Sequence, residues 1–69
     1  MKVLVVGGGG REHAIAWSLA KSPSRPDVYC MPGNPGIASV ATCAGVASDD
    51  LEGIISFAKR ERADLVIVG

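Results

Sequence analysis

Sixty-nine residues hold one domain at most, and a chain of that length buries only roughly 60% of its unfolded surface, so its core is thin. Seven basic and seven acidic side chains balance to zero, which argues against nucleic acid and anionic membrane surfaces as partners. One Trp, one Tyr and one Phe provide no platform on which bases would stack.

The first element is Lys2-Val-Leu-Val-Val6, a continuous apolar run suited to a strand covered on both faces of a parallel sheet. Four glycines follow, Gly7 to Gly10, then Arg11-Glu12-His13. Ala14, Ile15, Ala16, Trp17, Leu19 and Ala20 fill most positions of a helix of about ten residues. Its apolarity runs all round in mostly small side chains, which suits close packing on a sheet and places Trp17 in the core. Lys21-Ser22-Pro23 ends the helix, because proline cannot continue it and disfavours helix in the preceding residue.

Asp27 to Met31 is the second strand, running into the turn-forming cluster Pro32-Gly33-Asn34-Pro35-Gly36. Ile37 to Cys43 has little periodicity and reads as a short helical turn or as irregular chain. Ala44 to Ala47 is a weak third strand, weakened by Gly45. Asp49 as N-cap sets Glu52 at N3, a capping-box-like start. Leu51, Ile54, Ile55 and Ala58 then form the stripe of an amphipathic helix, and Lys59, Arg60 and Arg62 crowd its C-terminal end as solvated charges. Asp64 to Val68 is the fourth strand, before Gly69.

Strands and helices alternate with short connections, which predicts an α/β fold: a right-handed, doubly wound parallel sheet of Rossmann type with helices on both faces. Ligands of such sheets sit outside the carboxyl ends of the strands. The glycine loop, the Pro32–Gly36 loop and Gly69 all fall at that edge. The sequence stops where a fourth loop would contribute, so the expectation is a fragment of a larger protein.

Cys30 lies within an apolar run and reads as a small buried hydrophobe, whereas Cys43 lies in a loop. Neither belongs to a Cys-x-x-Cys or Cys/His cluster, so both are expected to be reduced, with no metal bound. No segment resembles a signal peptide or approaches the ~20 apolar residues of a membrane span, and the expected setting is cytoplasmic.

The chemistry concentrates in the glycine loop. Glycines let the backbone approach a ligand closely, and the helix that follows offers free N–H groups and a partial positive charge. That is a seat for an anionic or phosphorylated small molecule. A dinucleotide fits poorly. Glu12 or His13 stands where the third glycine of Gly-x-Gly-x-x-Gly belongs, and Met31-Pro32 replaces the acid expected after the second strand. No Gly-Lys-Ser/Thr follows either, which excludes a P-loop. The plain alternative is a tight strand-to-helix turn.

Three motifs in order carry a family resemblance across the whole chain. Lys2-Val-Leu-Val-Val-Gly-Gly-Gly-Gly-Arg-Glu-His-Ala-Ile-Ala-Trp17 resembles the opening of the phosphoribosylamine–glycine ligases, the glycinamide ribonucleotide synthetases. Pro32-Gly-Asn-Pro-Gly36 is similar to their Pro-Gly-Asn-x-Gly loop, and Asp64-Leu-Val-Ile-Val-Gly69 to the strand that runs into their Pro-Glu-x-Pro-Leu. The resemblance implies that residues 1–69 are the N-terminal part of a Rossmann-like pre-ATP-grasp domain, an incomplete three-layer αβα unit. It implies an ATP-dependent ligase of purine biosynthesis. Glycine is activated as an acyl phosphate, and the amine of 5-phosphoribosylamine attacks it to give glycinamide ribonucleotide, ADP and phosphate. ATP and magnesium or manganese belong to an ATP-grasp module outside these residues, so the fragment alone is expected to be inactive and to hold no cofactor. The partners implied are the two small substrates and the rest of the ligase chain.

Gly8, Gly9 and Gly10 are the candidates for backbone contact with substrate. Glu12 reads either as an acceptor for ribose hydroxyls or as a first-turn acid favouring the helix dipole. Arg11 reads either as a bidentate phosphate ligand or as a solvated turn residue. His13 lacks the partner that acid–base catalysis needs, so the expectation is a hydrogen-bonded residue that orders the loop. Gly33, Asn34 and Gly36 shape the second loop and are candidates for substrate contact; as a plain turn they need no ligand. No residue is assigned a catalytic or metal-binding role. Two further readings stay open: the N-domain of another ATP-grasp ligase or carboxylase, and a Rossmann nucleotide-binding module without catalysis.

Overall fold

A computed structural model of the chain describes residues 1–69. Four strands form one parallel sheet: β1 (Lys2–Gly7), β2 (Asp27–Pro32), β3 (Thr42–Cys43) and β4 (Leu65–Val68). Their spatial order is β3-β2-β1-β4, so the chain steps from β1 outward to β3 and then crosses back to the other side of β1. Helix α1 (Gly10–Ala20) joins β1 to β2, and α2 (Leu51–Glu61) joins β3 to β4. A 3-10 turn at Ile37–Ser39 precedes β3.

Strand β1 is central, pairing with β2 from Lys2↔Asp27 to Gly7↔Pro32 and with β4 from Val3↔Leu65 to Val6↔Val68. Its β-branched run is therefore covered from both sides, and Val3, Leu4, Val5 and Val6 are all buried. Alternation along the strand divides the core in two. Val3 and Val5 share a face with Val28, Cys30 and Ile67, and pack beneath Ala16 of α1 and Ile37. Leu4 and its register partners Tyr29 and Val66 face the other way. There the α2 ring of Phe57 meets Tyr29 edge-on, with centroids 5.6 Å apart. The helices thus cover opposite faces, giving the three layers of an incomplete Rossmann-like αβα fold.

The α1 layer is the more complete one. No residue of α2 is fully buried, and Leu51, Ile55, Val66 and Val68 remain exposed on or beside its face of the sheet.

Several local expectations need correction. The third strand is Thr42–Cys43, not Ala44–Ala47. Register decides it, because Thr42 and Cys43 align with Tyr29 and Cys30, and the Ala44 N–H then closes the ladder on the Cys30 carbonyl. The cap of α2 is Asp50 rather than Asp49, its carboxylate accepting from the Gly53 N–H at 3.0 Å. Glu52 therefore falls at N2 and closes no capping box. Trp17 is not core: it is 48% exposed on the outer side of α1, with the Lys21 ammonium 4.0 Å above its ring. Ala16, flanked by Ile15 and Leu19, faces the sheet in its place.

No helix of the chain is long and apolar enough to cross a membrane.

Candidate functional site

The carboxyl ends of β1, β2 and β4 bring the glycine loop, the Pro32–Gly36 loop and Gly69 together, as the sheet order predicts. Gly7 ends β1 with φ +137, a conformation that a side chain rarely adopts. Helix α1 then begins at Gly10, so Arg11, Glu12 and His13 form its first turn instead of a preceding loop. Gly9 is the N-cap and supplies no side-chain acceptor, which leaves the N–H groups of that turn directed at the strand edge without a cap.

The two loops are interlocked. The Gly33 N–H donates to the Gly7 carbonyl at 3.2 Å, and the Asn34 side-chain amide donates to the Gly8 carbonyl at 2.7 Å. Asn34 Oδ1 accepts from the Ile37 N–H at 2.8 Å, and the Asn34 carbonyl takes the Ala38 N–H at 3.0 Å. A Cβ on Gly8 would lie 2.8 Å from the Gly33 carbonyl oxygen, so the two backbones meet too closely for any side chain there. Gly33 itself has φ +74 and faces the Cys43 sulfur. Asn34 is thus a structural bolt between the loops, with both ends of its side chain engaged inside the chain.

Glu12 occupies the centre. It is the one buried charged residue, 8% exposed, and its carboxyl group lies over both Gly7 and Gly69. A Cβ on either glycine would come within 2.6 Å of the Glu12 carboxyl carbon. The carboxylate makes no hydrogen bond within the chain, yet neither oxygen is fully sealed from solvent. A half-sealed carboxylate without an internal donor, at the strand edge where the order reverses, has its acceptor capacity free for a ligand.

The other first-turn residues diverge. Arg11 is exposed and pairs with no acid. The His13 ring packs against Gly36, where a Cβ would lie 2.9 Å from its Cε1, and its side chain forms no hydrogen bond. It meets the second loop by contact and makes no side-chain hydrogen bond, contrary to the hydrogen-bonded histidine expected from sequence. Gly10, His13, Ala14 and Trp17 line a shallow open groove beside the glycine loop. A second concavity, lined by Lys21, Arg25 and Val40 among others, lies at the opposite end of the sheet and takes no part in the site. No group of three or more His, Cys, Asp or Glu side chains converges to hold a metal ion.

The sequence-predicted residues of both loops and of the first turn of α1 come together at one strand edge, but three features of that edge were not foreseen. They are the burial of Glu12 beneath two strand ends, the role of Asn34 as a bolt, and the placing of Gly69 against Glu12. Only the last had a signal, a glycine at the end of an apolar run in the same pattern as Val6-Gly7.

The family model described as "Phosphoribosylglycinamide synthetase, N domain" matches residues 1–69. The chain belongs to that family. A phosphoribosylamine–glycine ligase of Brucella melitensis is 56% identical over 69 residues, covering all of this chain and 16% of that protein. The ligase of Nostoc is 55% identical over 71 residues, again across the whole chain and 17% of the relative. That of Caldanaerobacter subterraneus is 48% identical over 69 residues, with the same full coverage of this chain. The chain therefore spans about a sixth of the length of the curated relatives it matches.

Proposed function

We propose that residues 1–69 form one wall of the 5-phosphoribosylamine pocket in a ligase that joins glycine to that amine, with ATP converted to ADP and phosphate. The single observation that carries the reading is the placement of Glu12, a buried carboxylate without an internal donor, between the ends of β1 and β4. Ribose hydroxyls are the donors such a carboxylate accepts, and hydrogen bonds to a charged acceptor are worth about 1.5–3 kcal/mol each. The uncapped first turn of α1 adds N–H donors and the positive end of its dipole for the phosphate side. Arg11, exposed and unpaired, is free to add its guanidinium there. Gly8, Gly9 and Gly10 keep the approach open, and Gly33, Asn34 and Gly36 hold the second loop against it.

No group of three or more His, Cys, Asp or Glu side chains converges in residues 1–69, and no step of the ligation is assigned to them. Activation of glycine and transfer to the amine fall to the remainder of the longer protein.

The test is made on the protein that continues past Gly69. A Pro-Glu-x-Pro-Leu segment directly after Gly69, and ADP release that requires both glycine and 5-phosphoribosylamine, support the reading. ADP release driven by a different acceptor, or tight binding of NAD by the longer protein, refutes it.

A further inference from the structure

Cys30 and Cys43 are register partners on neighbouring parallel strands, so their side chains leave the sheet on the same face. Adjacent strands lie about 4.8 Å apart, inside the Cα separation of 4.4–6.8 Å that a disulfide spans. Gly33 confirms how near they are. A Cβ built on it would touch the Cys43 sulfur and lie 3.2 Å from the Cys43 Cβ and 3.3 Å from the Cys30 Cβ. Both thiols are free. They differ in access, since Cys30 is wholly buried while Cys43 is partly open to solvent.

The Cys43 thiol also donates to the Asn34 carbonyl at 3.6 Å. Asn34 is the residue that bolts the second loop to Gly8. One thiol of the pair therefore touches the loop junction directly.

We propose that Cys30 and Cys43 are a thiol–disulfide exchange site that takes a low-molecular-weight disulfide and, on closing, acts on the Asn34 loop. The thiolate of Cys43, the accessible partner, attacks one sulfur of RS–SR, forming a mixed disulfide and releasing one RS⁻. Cys30 then loses its proton to solvent and attacks the Cys43 sulfur, releasing the second RS⁻. Two protein thiols and one RS–SR thus become one protein disulfide and two RSH. Closure removes the S–H that Cys43 donates to Asn34. Burial, with the Cys43 thiol and the Glu12 carboxylate nearby, raises the Cys30 thiol to about 11 in the reduced chain. In the mixed disulfide the Cys43 contribution is gone but burial still holds the thiol above its ordinary value, so the second step is the slow one at neutral pH. The inference rests on strand register and is independent of what the loop binds.

The reduced longer protein that carries residues 1–69, folded by far-UV circular dichroism, is incubated with oxidised and reduced glutathione and followed by intact mass and non-reducing peptide mapping. The expected product has lost two hydrogens, retains no glutathione and links Cys30 to Cys43. Cys30→Ala is expected to stop at a glutathione adduct on Cys43, and Cys43→Ala to give neither product. Resolution of the mixed disulfide is expected to speed up about tenfold per pH unit between pH 7 and 9, following the Cys30 thiolate. The folded chain should favour the disulfide at least about tenfold over the same chain in guanidinium, because strand pairing holds the sulfurs together. The amide resonances of Gly33, Asn34 and Gly36 should shift on closure. A stable adduct on Cys43 in the unsubstituted chain, products only between chains, or no folded-state preference overturns the exchange site. A disulfide that leaves those amides unmoved overturns its action on the loop.

Discussion

The Asn34 side-chain amide donates to the Gly8 carbonyl at 2.7 Å, joining two loops 26 positions apart in sequence. Its carbonyl oxygen at the same time accepts from Ile37, so one side chain closes the strand edge and starts the 3-10 turn. Each such bond contributes about 0.5–1.5 kcal/mol net. Asn34→Ala, which removes both, is expected to lower stability by about 1–3 kcal/mol. Asn34→Asp keeps the acceptor for Ile37 but sets a carboxylate oxygen against the Gly8 carbonyl oxygen, so it should be no more stable than Ala. Urea midpoints of the three proteins check the order, and an Asp variant as stable as Asn would count against the bond to Gly8.

Two glycines of the same loop should behave in opposite ways. Gly7 has φ +137 and a Cβ there would overlap the Glu12 carboxyl group, so Gly7→Ala carries both backbone strain and a clash. A loss of about 2 kcal/mol or more is expected. Gly10 opens α1, and nothing lies within 4 Å of its Cβ position. Gly10→Ala should be neutral or stabilising by up to about 1 kcal/mol, since alanine is the better helix former. Denaturation curves of both variants decide the matter.

Trp17 offers a spectroscopic check on the outer face of α1. It is the only tryptophan, nearly half exposed, with Lys21 stacked over its ring. Its emission should resemble that of a solvated indole and be readily quenched by acrylamide. Trp17→Ala should cost under about 1 kcal/mol, where a buried indole would cost about 3–5 kcal/mol.

The contrast between that tryptophan and the strands shows what the sequence made legible. β1, β2 and β4 announce themselves as apolar runs, the pattern of a strand covered on both faces, although in these residues only β1 is so covered and β4 stays largely exposed. Helix α2 announces itself by its stripe. In α1 the apolar residues run all round, so nothing in the pattern marks Ala16 as the buried position and Trp17 as the open one. β3 slipped for a related reason. Thr42 and Cys43 are strand residues because Tyr29 and Cys30 lie opposite, not because of local propensity. The site followed the same rule. Its loops were readable from glycine and proline, whereas the burial of Glu12 depends on two glycines 62 positions apart arriving at one place. No local pattern holds that information.

Alkaline pH should loosen the fold through Cys30. Its thiol is raised from 9.0 to about 11 by burial, with the Cys43 thiol and the Glu12 carboxylate adding to it. The unfolded chain therefore releases this proton at lower pH than the folded one. Between pH 9 and 11 the folded state holds more protons, so stability falls as pH rises, by at most about 1.4 kcal/mol per unit, and is unaffected by this group below pH 8. Cys30→Ala should remove that component of the slope while leaving the rest of the alkaline profile. An unchanged slope between pH 9 and 11 in the variant would show that Cys30 does not titrate as its surroundings dictate.

The sharpest test of the proposed pocket is Glu12→Gln in the protein that continues past Gly69. Glutamine keeps the shape over Gly7 and Gly69 but loses the charge and one of the two acceptor oxygens. If Glu12 accepts from ribose hydroxyls, the KM for 5-phosphoribosylamine should rise about 10- to 100-fold, the equivalent of one charged hydrogen bond. The KM values for glycine and ATP should stay within about twofold, because those substrates are expected to be held by other parts of the chain. Were Glu12 only a first-turn acid steadying α1, the substitution would lower stability by about 0.3–1 kcal/mol and leave all three KM values alone. Steady-state kinetics with each substrate varied in turn, alongside a thermal melt of the variant, separates the two. A uniform fall in kcat with unchanged KM for the phosphosugar would remove Glu12 from the pocket and return it to the helix.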